Sequence, residues 1–168
     1  MIHLDTSDEQ TTLEKDIGMF VQQNKAYYAE QWQNLDNGKL AFNVIAFFLP
    51  IFWLGYRRMY RHIGMIALMY LVIDIGLFIF ISESSSLNLL DSFYTLGIGI
   101  FYGFFANKLY KKHVQRRVNK IRTVASDEQE TEKMLQQQGG GSGYGVLGAI
   151  VMIFLIYTIP TIIITYIV

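Results

Sequence analysis

The chain contains no cysteine and only two prolines, and its 14 basic residues are balanced by 14 acidic residues. Without cysteine it has no disulfides, no thiolate metal sites, no cysteine nucleophile and no lipid anchor attached through sulfur. The sequence also lacks an HExxH motif, a phosphate-binding glycine loop and a Gly-x-Ser-x-Gly elbow, and its three histidines are scattered. These absences predict that the chain is not an enzyme and that it uses no cofactor or metal ion.

Apolar residues make up 52% of the chain and charged residues 17%, which is more apolar and less charged than soluble domains usually are. The apolar residues form long runs at 63–82, 88–107 and 145–168, and the last run contains no charge. About 20 apolar residues are enough for a helix to cross the hydrocarbon core of a bilayer. The runs therefore predict an all-α polytopic membrane protein with three transmembrane helices.

A shorter apolar run at residues 40–56 contains Pro50. Proline removes a backbone donor and disfavours helical geometry in the residue before it. The run is therefore predicted to be broken at the proline. Two interpretations stay open, a re-entrant or interfacial segment that returns to its own side and a short spanning helix, and we favour the first.

The remaining segments are polar and predict helices outside the membrane. Residues 1–39 form a polar N-terminal region in which apolar residues recur at helical spacing from Thr12 to Leu35, with Gly38 ending the amphipathic helix. Residues 83–87 predict a polar loop. Residues 108–138 predict a basic and then an acidic helical segment, with a capping box at Ser126–Gln129. A glycine-rich linker at 139–144 predicts a flexible break.

Ten of the 14 basic residues lie in two short segments, at 57–61 and 108–122. Short basic segments beside spans stay on the cytoplasmic side, and two predicted spans separate these segments, so both are expected there. The expected location is the bacterial cytoplasmic (inner) membrane, with an external C-terminus. The N-terminus is expected in the cytoplasm if residues 40–56 re-enter, and outside if they span.

Three short motifs resemble one known family. The stretch AFFLPIFWLGYRRMY at 46–60 combines an aromatic run, a proline, Phe-Trp and Tyr-Arg-x-Met-Tyr. The pattern Asn24-x-x-Tyr27-Tyr28 precedes it, and Asn107-x-x-Tyr110-x-x-His113 follows it. Over residues 18–115 this pattern resembles the bacterial membrane family called domain of unknown function 2628, although Leu49 stands where that family has a glycine. The resemblance implies a membrane architecture and a bacterial source, and it implies no activity.

Asp74 is the candidate intramembrane polar site, because it lies in the middle of the 63–82 run. A charged aspartate at that depth costs about 2.5–3.5 kcal/mol on insertion scales, so it must face protein or water or be protonated. It is either a proton or cation site or a packing residue hydrogen-bonded to Tyr94 or Tyr102. The pair Gly99 and Gly103 is the candidate helix-packing site, either within one chain or between copies.

The basic segments are the candidate contacts for membrane lipids or a partner: Arg57, Arg58, Arg61, Lys111, Lys112, Arg116 and Arg117. Nucleic acid is not an expected partner, because no recognition fold accompanies the basic residues. The function expected from these features is that of a small accessory or scaffold subunit, acting through contacts with lipids and with a partner membrane protein or a homo-oligomer. The alternative is a homo-oligomeric ion channel or small transporter that uses Asp74 and the glycine-rich span at 88–107.

Overall fold

The computed structural model describes the backbone of residues 6–80 and 84–167, and the side chains of residues 11–73, 75–76, 92–156 and 158. The described residues form eight α-helices and no strand, which confirms the all-α prediction. The helices are α1 (Thr6–Val21), α2 (Lys25–Asp36), α3 (Val44–Phe48), α4 (Pro50–Tyr56), α5 (Tyr60–Phe80), α6 (Ser84–Val124), α7 (Glu128–Gln138) and α8 (Gly143–Ile167).

The helices belong to two compact units. The first unit consists of Met1–Ala41 and Asn107–Gly141, and the second consists of Phe42–Ala106 and Ser142–Val168. The first unit therefore contains α1, α2, the C-terminal part of α6 and α7. The second contains α3, α4, α5, the N-terminal part of α6 and α8.

The N-terminal region forms two helices where the apolar spacing predicted one. The chain turns between α1 and α2 at Gln22 and Asn24, whose φ angles of 55° and 67° are left-handed. The Gln22 side chain donates to the backbone oxygen of Gln136 at 2.7 Å, which ties the turn to the end of α7. Helix α2 then ends as predicted near Gly38, where φ is 71° and the amide donates to Leu35 at 3.1 Å.

The core of the first unit lies along one face of α6. Four apolar residues of this helix, spaced four, four and three positions apart, are buried: Tyr110, Val114, Val118 and Ile121. The buried residues of the other helices of the unit are Phe20, Val21, Tyr28, Trp32 and Leu135, of which Tyr28 and Trp32 contact Tyr110. The helical spacing of the α6 residues in the sequence is thus the spacing of a core face.

The start of α7 is capped one residue later than the sequence indicated. Asp127 is the N-cap, and its side chain accepts the Glu130 amide at 2.7 Å. The Glu130 carboxylate in turn accepts the Ser126 amide at 2.8 Å. Asp127 takes the capping role that was predicted for Ser126. Its carboxylate accepts the hydrogen bond as a serine hydroxyl would, and its negative charge also interacts favourably with the positive end of the helix.

The predicted polar loop is partly helical, whereas the predicted glycine-rich linker does interrupt the helices, between α7 and α8. Residues 84–87 of the predicted polar loop belong to α6, because Ser84 begins that helix. In the predicted linker, Gly139 and Gly140 are buried, and the Gly140 amide donates to the Phe20 oxygen at 2.7 Å. A Cβ at Gly139 would lie 2.8 Å from the carbonyl carbon of Phe20. Glycine is required there by a close approach to α1.

In the second unit, helices α3 and α4 are separated at Leu49, directly before Pro50. The Asn43 side chain caps α3 by accepting the Ala46 amide at 2.9 Å, and Pro50 occupies the first position of α4. At the end of α4 the Met59 amide donates to Leu54 at 2.9 Å, with Arg58 at a φ of 55°. This is the hydrogen-bonding pattern of a Schellman motif, with arginine in the position that glycine usually takes.

Helix α4 packs closely on α8. A Cβ at Gly55 would lie 2.8 Å from the Ala149 Cβ and 2.8 Å from the Gly145 oxygen. The Ser142 amide, at the start of α8, donates to the Tyr56 oxygen at 2.9 Å. Small residues on both helices permit this approach of the two backbones.

Within the described residues, no single helix combines the length and the apolar composition needed to cross a membrane. The segments Glu128–Gln138 and Gly143–Ile156 meet the criterion only when they are taken together, and Tyr60–Ile73 is apolar but shorter. The three transmembrane helices therefore stay a prediction.

Candidate functional site

An aromatic cluster joins α2 to α6 in the first unit. The Tyr28 ring lies 4.8 Å from the Tyr110 ring and 5.6 Å from the Trp32 ring, and Trp32 lies 6.0 Å from Tyr110. All three side chains are buried. Tilted ring pairs at these distances add stability beyond the burial of their area.

Asn107 is the polar centre of this cluster. Its buried side-chain amide donates to the Ala41 oxygen at 3.0 Å and lies 3.4 Å from the Tyr27 hydroxyl. Its backbone oxygen accepts the Trp32 indole N–H at 3.1 Å. One residue of α6 thus holds α2 and the chain that follows α2.

The aromatic cluster brings together two of the motifs that carry the family resemblance. Tyr27 and Tyr28 come from the first motif, and Asn107 and Tyr110 from the last, which lies about 80 positions further along the chain. The sequence did not indicate that these motifs meet. The apolar spacing placed Trp32 on the same helix face as Tyr28, four residues earlier, but did not indicate that this face meets α6.

A groove of about 650 Å³ lies beside the aromatic cluster in the first unit. Its apolar lining includes Leu13, Ile17 and Val21 of α1 and Tyr28, Ala29 and Trp32 of α2. Its polar lining consists of Glu14, Lys25, Gln33, Asp36, Lys111 and Gln115. A lining that combines apolar and polar side chains is the usual composition of a protein docking surface.

Two of the basic residues at 108–122 form ion pairs inside the first unit. Lys111 contacts both carboxylate oxygens of Asp36, at 2.5 and 2.7 Å. The Arg122 Nε contacts the Asp16 carboxylate at 2.5 Å, and the Asp16 side chain is 0% exposed. Because an unpaired buried carboxylate is costly, Arg122 serves the fold. Neither Asp16 nor its partner was singled out from the sequence.

A third ion pair joins α1 to α7. The Lys15 Nζ lies 2.9 Å from the Glu132 carboxylate. The hydrogen bond to Glu132 raises the pKa of Lys15 above its ordinary value. Both side chains are largely exposed, so this pair contributes little to stability.

The other predicted basic contacts differ in exposure. Arg57 is buried, with its guanidinium carbon 5.2 Å from the centre of the Tyr56 ring. Arg58 is half-buried at the end of α4, and Arg61 is exposed. On α6, Lys112 and Arg116 are exposed, whereas Arg117 is half-buried. The basic segments are therefore not uniform contact surfaces.

The two glycines of the candidate packing site contact the same chain. A Cβ at Gly99 would lie 2.7 Å from the Phe47 oxygen, and one at Gly103 would lie 2.6 Å from the Phe42 ring. The Gly103 oxygen also accepts the Asn43 amide at 2.7 Å. The glycines thus allow the segment before and within α3 to approach α6 closely.

Asp74 belongs to α5, but its side chain lies outside the described residues. Of the hydrogen-bond partners expected for it, Tyr94 has its ring 4.9 Å from that of Tyr70, and Tyr102 has its ring 6.3 Å from that of His62. In the described part of the chain, no group of three or more His, Cys, Asp or Glu side chains is arranged to hold a metal ion.

Comparison with known protein families gives a match over most of the chain. The family model described as Protein of unknown function (DUF2628) matches residues 7–116, which is more than half of the chain. No curated protein and no solved structure matches. The matched range includes the motifs at 24–28, 46–60 and 107–113 and all residues of the aromatic cluster. The chain therefore belongs to the family of proteins of unknown function DUF2628.

Proposed function

We propose that this protein is a small accessory or scaffold subunit of a bacterial cytoplasmic membrane. In this proposal the second unit lies in the bilayer, and the first unit lies on the cytoplasmic side and docks a partner membrane protein. The single observation that supports it best is the unequal distribution of apolar and charged residues between the two units.

Among the described side chains, 27 large hydrophobic residues are exposed, and 24 of them belong to the second unit. Extensive exposed apolar surface marks contact with a membrane or with another protein. The first unit, in contrast, holds 11 of the 14 basic residues and 11 of the 14 acidic residues. An apolar exterior on one unit and a charged exterior on the other favour a membrane-inserted part and a water-exposed part.

The lengths of α3 and α4 support a re-entrant or interfacial segment at 40–56. The two helices contain five and seven residues. At 1.5 Å per residue their rise is about 18 Å in total, less than the roughly 30 Å of a hydrocarbon core. This favours a cytoplasmic N-terminus.

The location of the N-terminus is tested by cysteine labelling. Since the chain has no native cysteine, Thr11→Cys introduces a single thiol at an exposed position of α1. We expect a membrane-impermeant maleimide to label it in lysed cells but not in intact cells. Labelling in intact cells would contradict the cytoplasmic N-terminus.

The docking role is supported by the groove beside the aromatic cluster, and two alanines of α2 provide a matched test. Ala26 and Ala29 are both exposed, but only Ala29 lines the groove. The tagged chain and its variants are purified from native membranes in mild detergent. Partners are identified by mass spectrometry, and the particle mass is measured.

We expect a second membrane protein in stoichiometric amount with the wild-type chain. Ala29→Arg, which places a charge in the groove, is expected to lose this partner, and Ala26→Arg is expected to retain it. Equal retention by both variants would exclude the groove as the docking surface. A homogeneous homo-oligomer without a second protein would contradict the accessory role and favour the channel or transporter alternative.

A further inference from the structure

Four basic residues of α6 form a ladder along its exposed face. Lys108, Lys112, Arg116 and Lys120 follow one another at intervals of four residues, and all four are exposed. Successive members are therefore about 6 Å apart along the helix axis, and the whole ladder extends over about 18 Å. The opposite face of the same helix segment is the buried row of Tyr110, Val114 and Val118.

The ion pairs that α6 forms in the first unit use basic residues other than those of the basic ladder. Lys111 and Arg122, which lie between and beside its members, pair with Asp36 and Asp16. Within the part of the chain whose side chains are described, no ladder residue forms an ion pair. Like charges four residues apart destabilise an isolated helix. The repeated spacing thus has a local cost that no ion pair among the described side chains offsets.

We propose that the basic ladder binds the anionic headgroups of membrane phospholipids. This inference rests on the proposed membrane location of the second unit. The exposed side chains of Phe104 and Phe105 precede Lys108 by four and three residues in the same helix, so the surface of α6 changes from aromatic to basic within one turn. A cluster of four or more cations directly after an apolar helix is typical of binding to anionic lipid.

The ladder differs from the set of contacts indicated by the sequence. It includes Lys108 and Lys120, and it excludes Lys111, which is used in an ion pair, and Arg117, which is half-buried. An acidic partner protein is the competing occupant. The aromatic surface that immediately precedes Lys108 favours lipid, because apolar and anionic groups adjoin in a phospholipid layer.

The test uses the full-length chain reconstituted in vesicles of phosphatidylcholine alone or of an equimolar mixture with phosphatidylglycerol. Flotation of the vesicles reports insertion. Extraction of the mixed vesicles in mild detergent, followed by analysis of the retained lipid, reports headgroup preference. For the wild type we expect enrichment of phosphatidylglycerol by at least about fivefold, the effect of a single cation near an anionic surface.

One variant replaces three members of the basic ladder with glutamine: Lys112→Gln, Arg116→Gln and Lys120→Gln. The matched control removes the same charge from three exposed lysines of the first unit that lie off the ladder and outside the groove: Lys15→Gln, Lys39→Gln and Lys133→Gln. All of these side chains are exposed, so both variants are expected to fold. We expect the first variant to lose most of the phosphatidylglycerol enrichment and the control to keep it.

The remaining outcomes show which part of the proposal is wrong. Unchanged enrichment in the ladder variant, or an equal loss in the control, would overturn the lipid site while leaving the membrane location intact. An acidic protein that is lost from native membrane extracts of the ladder variant, with unchanged lipid ratios, would identify the competing occupant. Failure of the wild type to float with phosphatidylcholine vesicles would overturn the proposed function and this inference together.

Discussion

Replacing Asn107 with alanine tests whether the aromatic cluster depends on its polar centre. Asn107 is fully buried, and its amide donates to the backbone oxygen of Ala41, which is also buried. Asn107→Ala removes this donor and the 3.4 Å contact with Tyr27. The backbone oxygen that accepts the Trp32 indole is retained, so the variant isolates the role of the side chain.

The expected cost is about 2 kcal/mol. A buried acceptor that loses its partner costs roughly 1–3 kcal/mol, and the small void left by the amide adds to this. This cost lowers the free energy of local opening between α2 and α6. Amide hydrogen exchange in α2 should therefore become about 30-fold faster, since each 1.4 kcal/mol is a factor of ten.

Hydrogen–deuterium exchange of the full chain in detergent, read by mass spectrometry on peptides of Lys25–Asp36, measures this change. Asn119→Ala is the control, because Asn119 lies exposed on the same helix. We expect that variant to exchange like the wild type or more slowly, since alanine favours helix. Equal exchange rates in Asn107→Ala and Asn119→Ala would refute the role assigned to Asn107.

Three further predictions concern charge, backbone conformation and packing. Arg122→Ala should lower the unfolding midpoint more than Asp16→Asn, because Arg122→Ala leaves a carboxylate that is 0% exposed without its cation. The guanidinium left by Asp16→Asn is 30% exposed and hydrated. The reverse order would contradict the structural role assigned to Arg122. Arg58→Gly should stabilise the protein by about 1 kcal/mol in thermal unfolding, because glycine adopts a positive φ without strain, and a loss of stability would show that the arginine side chain contributes more than the strain costs. Gly103→Ala should lower the melting temperature, since its Cβ would lie 2.6 Å from an aromatic carbon, whereas Gly97→Ala, with no atom within 4 Å, should not; equal effects would contradict the close packing at Gly103.

Features that depend only on residues close together in the chain could be predicted from the sequence. The positive φ at Gly38, the interruption before Pro50 and the buried face of α6 follow from backbone preferences and helical spacing. The turn at Gln22 and Asn24 could not be predicted in this way. Asparagine adopts a left-handed conformation more readily than most residues, but glutamine does not, and the contact that holds Gln22 comes from Gln136, 114 positions further along the chain.

The candidate site could be predicted only in part for the same reason. The motif residues were visible in the sequence, but the approach of Asn107 to Ala41 depends on how two distant segments fold. The sequence alone did not distinguish one basic residue at 108–122 from another. Their division into internal partners and an exposed ladder depends on Asp36 and Asp16, which are 75 and 106 positions away from the cations that they bind.

Membrane insertion is the central claim, and extraction of native membranes with alkaline carbonate tests it most directly. Carbonate releases proteins that are held at the membrane surface by charge, whereas proteins held by apolar contact with the hydrocarbon core stay in the membrane. We predict that the full-length chain stays in the membrane pellet and floats with the lipid in a density gradient. Release of the chain into the supernatant would contradict the assignment of the second unit to the bilayer.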